Sequence, residues 1–135
     1  MRIFASLLIG SVLAAGGVAY AGQKSSKDDK YVIKTVGEPE RCISRSQIRS
    51  TNVISDSIID FKMRGGDIYR NTLPNRCSGL AFEEAFSYRT STNQLCSVDI
   101  IRVLDQTGGG IQERNACGLG TFQKIEKTKK TADES

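Results

Sequence analysis

The feature that most constrains this chain is a set of four cysteines, Cys42, Cys77, Cys96 and Cys117, in a sequence of 135 residues without histidine. An even number of cysteines in a small chain outside the cytoplasm is typical of a disulfide framework. The alternative is a zinc site, but the sequence lacks both histidine and a CxxC pair, the usual zinc-ligand pattern. We therefore expect two disulfides and no metal ligands.

The amino terminus has the pattern of a secretory signal. Arg2 supplies a positive start, Ile3–Ala15 is an apolar run, and Ala19 and Ala21 give the small-x-small pattern that signal peptidase requires. The run is shorter than the ~20 apolar residues of a membrane-spanning helix. We expect residues 1–21 to be a signal peptide cleaved after Ala21, and the mature protein to be periplasmic or secreted, without a membrane span.

Composition divides the rest of the chain into three parts. Residues 22–40 are polar with balanced charges and are predicted to be a flexible linker, with a brief extended piece at Tyr31–Ile33. Residues 41–126 carry all four cysteines and are predicted to form a small β domain. Residues 127–135 lack any large apolar side chain and are predicted to be a disordered charged tail.

Alternating apolar and polar residues predict strands in the central part. Ile59, Phe61 and Met63 alternate with Asp60 and Lys62, the pattern of a half-buried strand. Other strands are predicted at 48–54, 68–73, 86–90, 95–104 and 117–125, with a hairpin turn at 64–67, a helical turn at 81–86, a β-bulge near residue 100 and a mobile loop at 106–115. This order predicts a mostly β fold, either a small six-stranded barrel or a strongly curved antiparallel meander, stapled by two disulfides.

The predicted last hairpin limits how the cysteines can pair. If 96–104 and 117–125 form this hairpin, Cys96 and Cys117 lie at opposite ends, about 26 Å apart at ~3.3 Å per residue, whereas disulfide Cα atoms lie within roughly 7 Å. Cys96–Cys117 is then excluded, and Cys42–Cys77 with it. Two pairings stay open: Cys42–Cys96 with Cys77–Cys117, or Cys77–Cys96 with Cys42–Cys117. Simple hairpin order favours the first.

The basic residues are unevenly distributed. The net charge is only +4, which permits an acidic partner, and the chain lacks the dense basic patch with aromatic residues that is typical of nucleic-acid binders. Nine arginines but one lysine lie between Arg41 and Cys117. Arginine suits fixed bidentate contacts, so these residues either brace the fold or form an anion-binding face that meets an acidic envelope component or a protein partner. The candidate ligand-binding residues are Tyr69, Arg70, Arg76, Tyr88 and Arg89, because arginine stacks on aromatic rings.

Catalytic patterns are scarce in this sequence. Without histidine there is no Ser-His-Asp or Cys-His arrangement, and the glycines 108–110 lack the lysine of a phosphate-binding loop. The acidic pairs Glu83/Glu84 and Asp56/Asp60 are the only sign of glycosidase-like chemistry. We therefore expect no cofactor and a non-catalytic binding or structural module of the cell envelope. The alternatives are an inhibitor of a secreted hydrolase and a carboxylate-dependent hydrolase of cell-wall sugars.

Several short motifs lie along the predicted domain. They are Arg41-Cys42-Ile43, Ile48-Arg49-Ser50-Thr51, Met63-Arg64-Gly65-Gly66, Tyr69-Arg70-Asn71-Thr72-Leu73-Pro74, Arg76-Cys77-Ser78-Gly79-Leu80, Phe86-Ser87-Tyr88-Arg89-Thr90, Leu95-Cys96-Ser97-Val98-Asp99-Ile100-Ile101 and Cys117-Gly118-Leu119-Gly120 followed by Phe122. In these motifs the chain resembles a family of small exported bacterial proteins described only as a domain of unknown function. The family pattern more often has proline where Ser78 stands, which affects only a loop. The resemblance implies no reaction, ligand or cofactor.

Overall fold

Residues 27–131 form ten short β-strands and one helical turn in the computed structural model, which describes this part of the chain. The predicted signal peptide and its cleavage site lie outside the described residues. The elements are β1 (Tyr31–Thr35), β2 (Cys42–Ser44), β3 (Ile48–Ser55), β4 (Ile58–Met63), β5 (Ile68–Thr72), α1 (Leu80–Glu83), β6 (Phe86–Tyr88), β7 (Gln94–Cys96), β8 (Ile100–Asp105), β9 (Gln112–Gly118) and β10 (Phe122–Lys129), with a 3-10 turn at Arg45–Gln47 before β3.

The strands form three antiparallel sheets. Strands β1-β10-β5-β4-β3 make a five-stranded sheet, β2-β7 a two-stranded sheet and β6-β8-β9 a three-stranded sheet. The mostly β prediction is confirmed, and β3, β4 and β5 form the expected meander. Among residues 27–131 there are ten strands rather than six, and a closed barrel is not found, so the six-stranded barrel is not confirmed.

One core lies between the sheets. Phe61 of β4 and Phe122 of β10 are fully buried, with ring centroids 5.5 Å apart in an edge-to-face arrangement. The three-stranded sheet contributes Ile101 and Val103, and the two-stranded sheet contributes Leu95. Edge-to-face packing of aromatic rings adds to the free energy of apolar burial, so this ring pair anchors the core.

The structure corrects both predicted ends of the domain. Strand β1 pairs with β10, from Tyr31 opposite Lys129 to Thr35 opposite Ile125. The extended piece predicted at Tyr31–Ile33 is confirmed as an edge strand, which makes this part of the predicted linker 22–40 a member of the sheet, and the predicted tail 127–135 begins with the last residues of β10. Composition did not indicate this pairing because both segments are rich in lysine, a residue that commonly marks the exposed edges of sheets.

Two strand predictions in the second half of the chain are also wrong. The predicted strand 95–104 is interrupted by a turn at residues 97–99, so β7 pairs with β2 while β8 pairs with β6 and β9. The phase change near Ile100 is this interruption, not a bulge. The predicted mobile loop 106–115 contains a short turn followed by β9, and the strand predicted at 117–125 divides into β9 and β10.

Both predicted disulfides are present. Cys42 bonds Cys96 and Cys77 bonds Cys117, the pairing that simple hairpin order favours. Cys42 and Cys96 lie directly opposite each other in the two-stranded sheet, whereas Cys77 and Cys117 join the segment after β5 to strand β9. All four cysteines are thus oxidised, which indicates a non-reducing, extracytoplasmic environment.

Candidate anion-binding site

The structure does not bring the five predicted ligand-binding residues together. Tyr69 and Arg70 lie on β5 of the five-stranded sheet, whereas Tyr88 lies on β6 of the three-stranded sheet. Strands β5 and β6 are not neighbours. Successive residues of a strand point to opposite faces of the sheet, so Tyr69 and Arg70 also face opposite sides. The single tyrosine–arginine surface predicted from the sequence is therefore absent.

Arg70 is occupied by structural ion pairs. Its guanidinium donates to both carboxylate oxygens of Asp60, at 2.8 and 2.9 Å, and lies 2.8 Å from a carboxylate oxygen of Asp28. The hydrogen bond to Asp60 raises the pKa of Arg70 against the opposing effect of burial. Lys127 of β10 completes the cluster at 2.6 Å from Asp60, which is only 3 % exposed. This cluster, formed by Asp28, Asp60, Arg70 and Lys127, covers the sheet face opposite the core.

Tyr69 is half-buried against the core from the other face of β5. Burial raises the pKa of its hydroxyl, and the nearby carboxylates Glu40 and Asp67 raise it further. This environment keeps the hydroxyl neutral, and its apolar ring serves the core, as expected for a tyrosine with a polar tip at the surface.

The other predicted residues lie at two separate surfaces. Arg76 is exposed and pairs with Asp56 at 2.8 Å. Tyr88 and Arg89 line a groove of about 380 Å³ on the three-stranded sheet, where Glu113 lies 3.5 Å from Arg89 and 3.8 Å from Arg102. Each of these arginines therefore has a carboxylate partner at the surface, with Arg89 and Arg102 sharing Glu113.

The arginines of the described residues fall into two groups, those with a carboxylate partner and those without one. Five arginines of the described residues form ion pairs with carboxylates: Arg70, Arg76, Arg89, Arg102 and Arg114. The remaining four, Arg41, Arg45, Arg49 and Arg64, have no ion pair with a carboxylate within residues 27–131. The expectation that arginine braces the fold therefore holds for the carboxyl-terminal half of the domain, and the amino-terminal half keeps uncompensated cations.

Arg49 and Arg64 share one depression of about 320 Å³, which Ile48 also lines. We call these three residues the arginine depression. Arg49 is the extra residue of a β-bulge, because the β3–β4 register shifts between Ile48 and Ser50. Bulges turn side chains away from the regular alternation of a strand. The backbone N–H of Arg64 donates to the carbonyl of Gln47 at 2.8 Å, which fixes the two arginine backbones beside each other.

The turn before the depression is held in place by side-chain hydrogen bonds. Asn93 accepts from the backbone N–H of Ser46 at 3.2 Å and donates to its hydroxyl at 2.9 Å. Arg45, on the same turn, donates to the hydroxyl of Thr90 at 3.3 Å and is otherwise exposed. The backbone around the arginine depression is therefore fixed before any ligand binds.

This arrangement suits the binding of an oxyanion. Two guanidinium groups at one depression repel each other when no carboxylate lies between them, and an anion that accepts from both removes that repulsion. Arginine donates in pairs to carboxylate or phosphate oxygens, so either group fits. The sequence does not single out Arg49, because a bulge has no local sequence signature, and the Arg64-Gly65-Gly66 motif predicts only a hairpin turn.

Three of the four acidic residues that suggested hydrolase chemistry, Asp56, Asp60 and Glu84, have partners elsewhere in the fold. Asp60 belongs to the buried ion cluster, and Asp56 pairs with Arg76 and accepts from the backbone N–H of Ala81 at 2.8 Å. Glu84 contacts the ammonium group of Lys27. A glycosidase needs two carboxyl groups that face a common sugar site, and Asp56 and Asp60 do not form such a pair.

Comparisons with known proteins add no assignment. No family model matches the chain, and neither the curated proteins nor the solved structures include a significant match. The resemblance to a family of exported proteins of unknown function therefore stays a prediction. Across residues 27–131, no helix has the length and apolar character needed to cross a membrane, and no group of three potential metal-ligating His, Cys, Asp or Glu side chains is found.

Proposed function

We propose that this chain is an exported, non-catalytic binding module that binds an anionic partner at the arginine depression. The observation that carries this proposal is the pair Arg49 and Arg64, which lack carboxylate partners within residues 27–131 while five other arginines of the same fold have them. Opposing charge raises the local concentration of an anion and speeds its encounter.

Export to the periplasm or the medium belongs to the same proposal. The two disulfides support it, because such bonds persist where thiols are not kept reduced. Intact mass spectrometry of the protein recovered outside the cytoplasm tests it. We expect a mature chain that begins at Gly22, and a protein that retains Arg2 in the membrane fraction would contradict the signal-peptide prediction.

A titration with pyrophosphate tests the binding proposal, because this small ion carries oxyanions and nothing else. We expect backbone amide signals of Gln47–Ser50 and Arg64–Gly66 to shift in heteronuclear NMR spectra of the mature protein. The affinity should fall as salt rises, since ions screen exposed charges over about 8 Å at physiological strength. The double substitution Arg49→Ala with Arg64→Ala should abolish the shifts.

Arg89 provides a surface control for this titration, matched in charge to each single substitution, Arg49→Ala or Arg64→Ala. Its side chain is 89 % exposed, so Arg89→Ala removes one positive charge without opening the core. Full binding by Arg89→Ala and lost binding by the double variant support the arginine depression. The opposite result would support the sequence prediction that Arg89 binds the ligand. Equal binding by all variants would refute both sites.

A second candidate, inhibition of a secreted hydrolase, is favoured by Phe82. This side chain is 84 % exposed on α1, whose first turn is held by the Asp56 carboxylate and the adjacent Cys77–Cys117 disulfide. A rigidly presented aromatic side chain is a common anchor at protein interfaces. If the protein inhibits muramidases or peptidases and Phe82→Ala abolishes this inhibition, the candidate is supported. If the wild-type protein does not inhibit these enzymes, the candidate is rejected and the anion-binding proposal stands by itself.

A further inference from the structure

Strand β3 is an edge of the five-stranded sheet and begins at the arginine depression. It pairs with β4 on one side, and no other strand of the described residues pairs with it. Four consecutive residues, Arg49–Asn52, are exposed. Strand β3 contains neither proline nor lysine, and its register shifts at Arg49 and again between Val53 and Ser55, so the regular open segment lies between these two irregularities. The far end is partly closed, because the ammonium group of Lys27 donates to the carbonyl of Val53 at 2.8 Å.

The hydrogen-bond pattern shows which backbone groups β3 leaves open. The N–H of Met63 donates to Asp67, across the β4–β5 turn. Bonding direction alternates along an antiparallel strand, so residues 59, 61 and 63 bond toward β5, while 60 and 62 bond toward β3. Ser50 and Asn52, opposite residues 62 and 60, therefore bond to β4. Thr51 therefore directs its N–H and its carbonyl to the open edge, whereas Val53, which has the same orientation, is only 3 % exposed and closes the far end of this edge.

The charge around this edge selects its partner. Lys62, directly opposite Ser50, also lacks an ion pair within residues 27–131, so Arg49, Lys62 and Arg64 surround the first half of β3. A second copy of this chain would bring these cations against each other, which is unfavourable. An acidic segment can form hydrogen bonds with the open backbone groups and ion pairs with the uncompensated cations.

We propose that β3 binds an extended acidic peptide segment of a partner protein as an added strand, with its carboxylates at Arg49, Lys62 and Arg64. The inference rests on the proposed anion-binding function and names its partner class. Backbone hydrogen bonds to Thr51 provide affinity that does not depend on the peptide sequence, and the cations select acidic side chains.

Two capped peptides test this inference. The first carries two aspartates followed by alternating valine and threonine, and the second replaces both valines by proline, which keeps the charge but removes backbone donors and strand geometry. We expect binding of the first peptide at least ~10-fold tighter than of the second. Amide hydrogen exchange at Thr51 should slow by about tenfold or more on binding, and that of Ser50 and Asn52 should not change.

The variant Thr51→Pro removes an N–H that the β3–β4 ladder does not use, and edge strands accept proline. It should lose the preference for the first peptide while retaining pyrophosphate binding, whereas Thr51→Val, which keeps the N–H, should behave as the wild type. Equal binding of both peptides would overturn strand addition and leave anion binding in place. If the wild-type protein binds neither pyrophosphate nor either peptide, the proposed function itself is refuted. Dimerisation of the chain through β3 without peptide would also overturn the inference.

Discussion

Gly120 lies where no other residue fits. A Cβ atom there would lie 2.2 Å from the carbonyl oxygen of Thr72. The buried side chain of Asn71 holds this approach, because it accepts from the N–H of Gly120 at 2.8 Å and donates to its carbonyl at 2.7 Å. We expect Gly120→Ala to lower the free energy of unfolding by about 1 to 3 kcal/mol. Urea denaturation measures this, with Gly65→Ala as control because a Cβ at Gly65 meets nothing within 4 Å.

Arg70 should prove structural. Arg70→Ala leaves the buried carboxylate of Asp60 with only Lys127, and the loss of one partner from a buried ion pair costs about 3 to 5 kcal/mol. The exposed pair of Arg76 should contribute less than about 1 kcal/mol. Chemical denaturation of Arg70→Ala and Arg76→Ala compares the two. Similar stability of both variants would show that the buried cluster does not support the fold.

The sequence predicted part of this residue-scale arrangement. The alternation of Phe61 with Asp60 correctly placed Asp60 on the face opposite the core. It did not predict burial of that carboxylate, because its cover comes from Asp28 and Lys127, distant in sequence and assigned to a linker and a tail. Contacts between distant segments leave no local sequence pattern. For the same reason the sequence did not reveal that Asp28 and Asp60 pair with Arg70, and Arg70 was predicted to bind a ligand.

At the scale of elements, the β8–β9 hairpin is fixed by one carboxylate. Asp105, at the end of β8, accepts from the hydroxyl and backbone N–H of Thr107 and from Arg114 of β9 at 3.0 Å. The hydrogen bonds from Thr107, and then Arg114, lower the pKa of Asp105 to about 2. A carboxyl group with a lower pKa in the folded state stabilises the fold above its unfolded pKa, and this contribution is lost on acidification.

This pKa gives a titration test. Carboxyl-carbon NMR should show that Asp105 titrates with a midpoint of about 2 instead of the usual 3.8, so its stabilising effect is present at pH 5 and fades between about pH 4 and 2. Thr107→Val removes the hydroxyl donor and should raise the midpoint, whereas Thr92→Val, in another turn, should not. A normal midpoint in the wild-type protein would contradict this account of the turn.

Element boundaries were predicted unevenly for a physical reason. The β3–β4–β5 meander was predicted well because Ile59, Phe61 and Met63 alternate regularly and Gly65-Gly66 marks the turn. The phase change near Ile100 predicts a bulge where the structure has a strand break, because both shift which residues face the core. Partners decide between them: β7 pairs with β2, far away in sequence, and the apolar pattern of β7 does not specify that partner.

At the scale of the whole molecule, the disulfide pairing was predicted correctly from a partly wrong premise. The expected terminal hairpin of 96–104 with 117–125 does not exist, since Ile101 pairs with Cys117 and β10 joins the other sheet. The predicted up-and-down order of the strands nevertheless placed Cys42 and Cys96 at the same end of the domain, where they form a disulfide. Fold class and disulfides thus follow from composition and periodicity, whereas the division into three sheets depends on long-range pairing.

The two disulfides have different structural roles, which separate removal should reveal. Their sequence separations, 54 and 40 residues, imply similar entropic contributions of about 4 kcal/mol each. Cys42–Cys96 joins directly opposed residues of one sheet, but Cys77 is fully buried and connects the five-stranded to the three-stranded sheet. We therefore expect the paired substitution Cys77→Ala with Cys117→Ala to lower unfolding free energy more than Cys42→Ala with Cys96→Ala, because it also removes buried packing. Urea denaturation measures both variants, and a larger loss on removing Cys42–Cys96 would show that the two-stranded sheet, not the contact between sheets, limits stability.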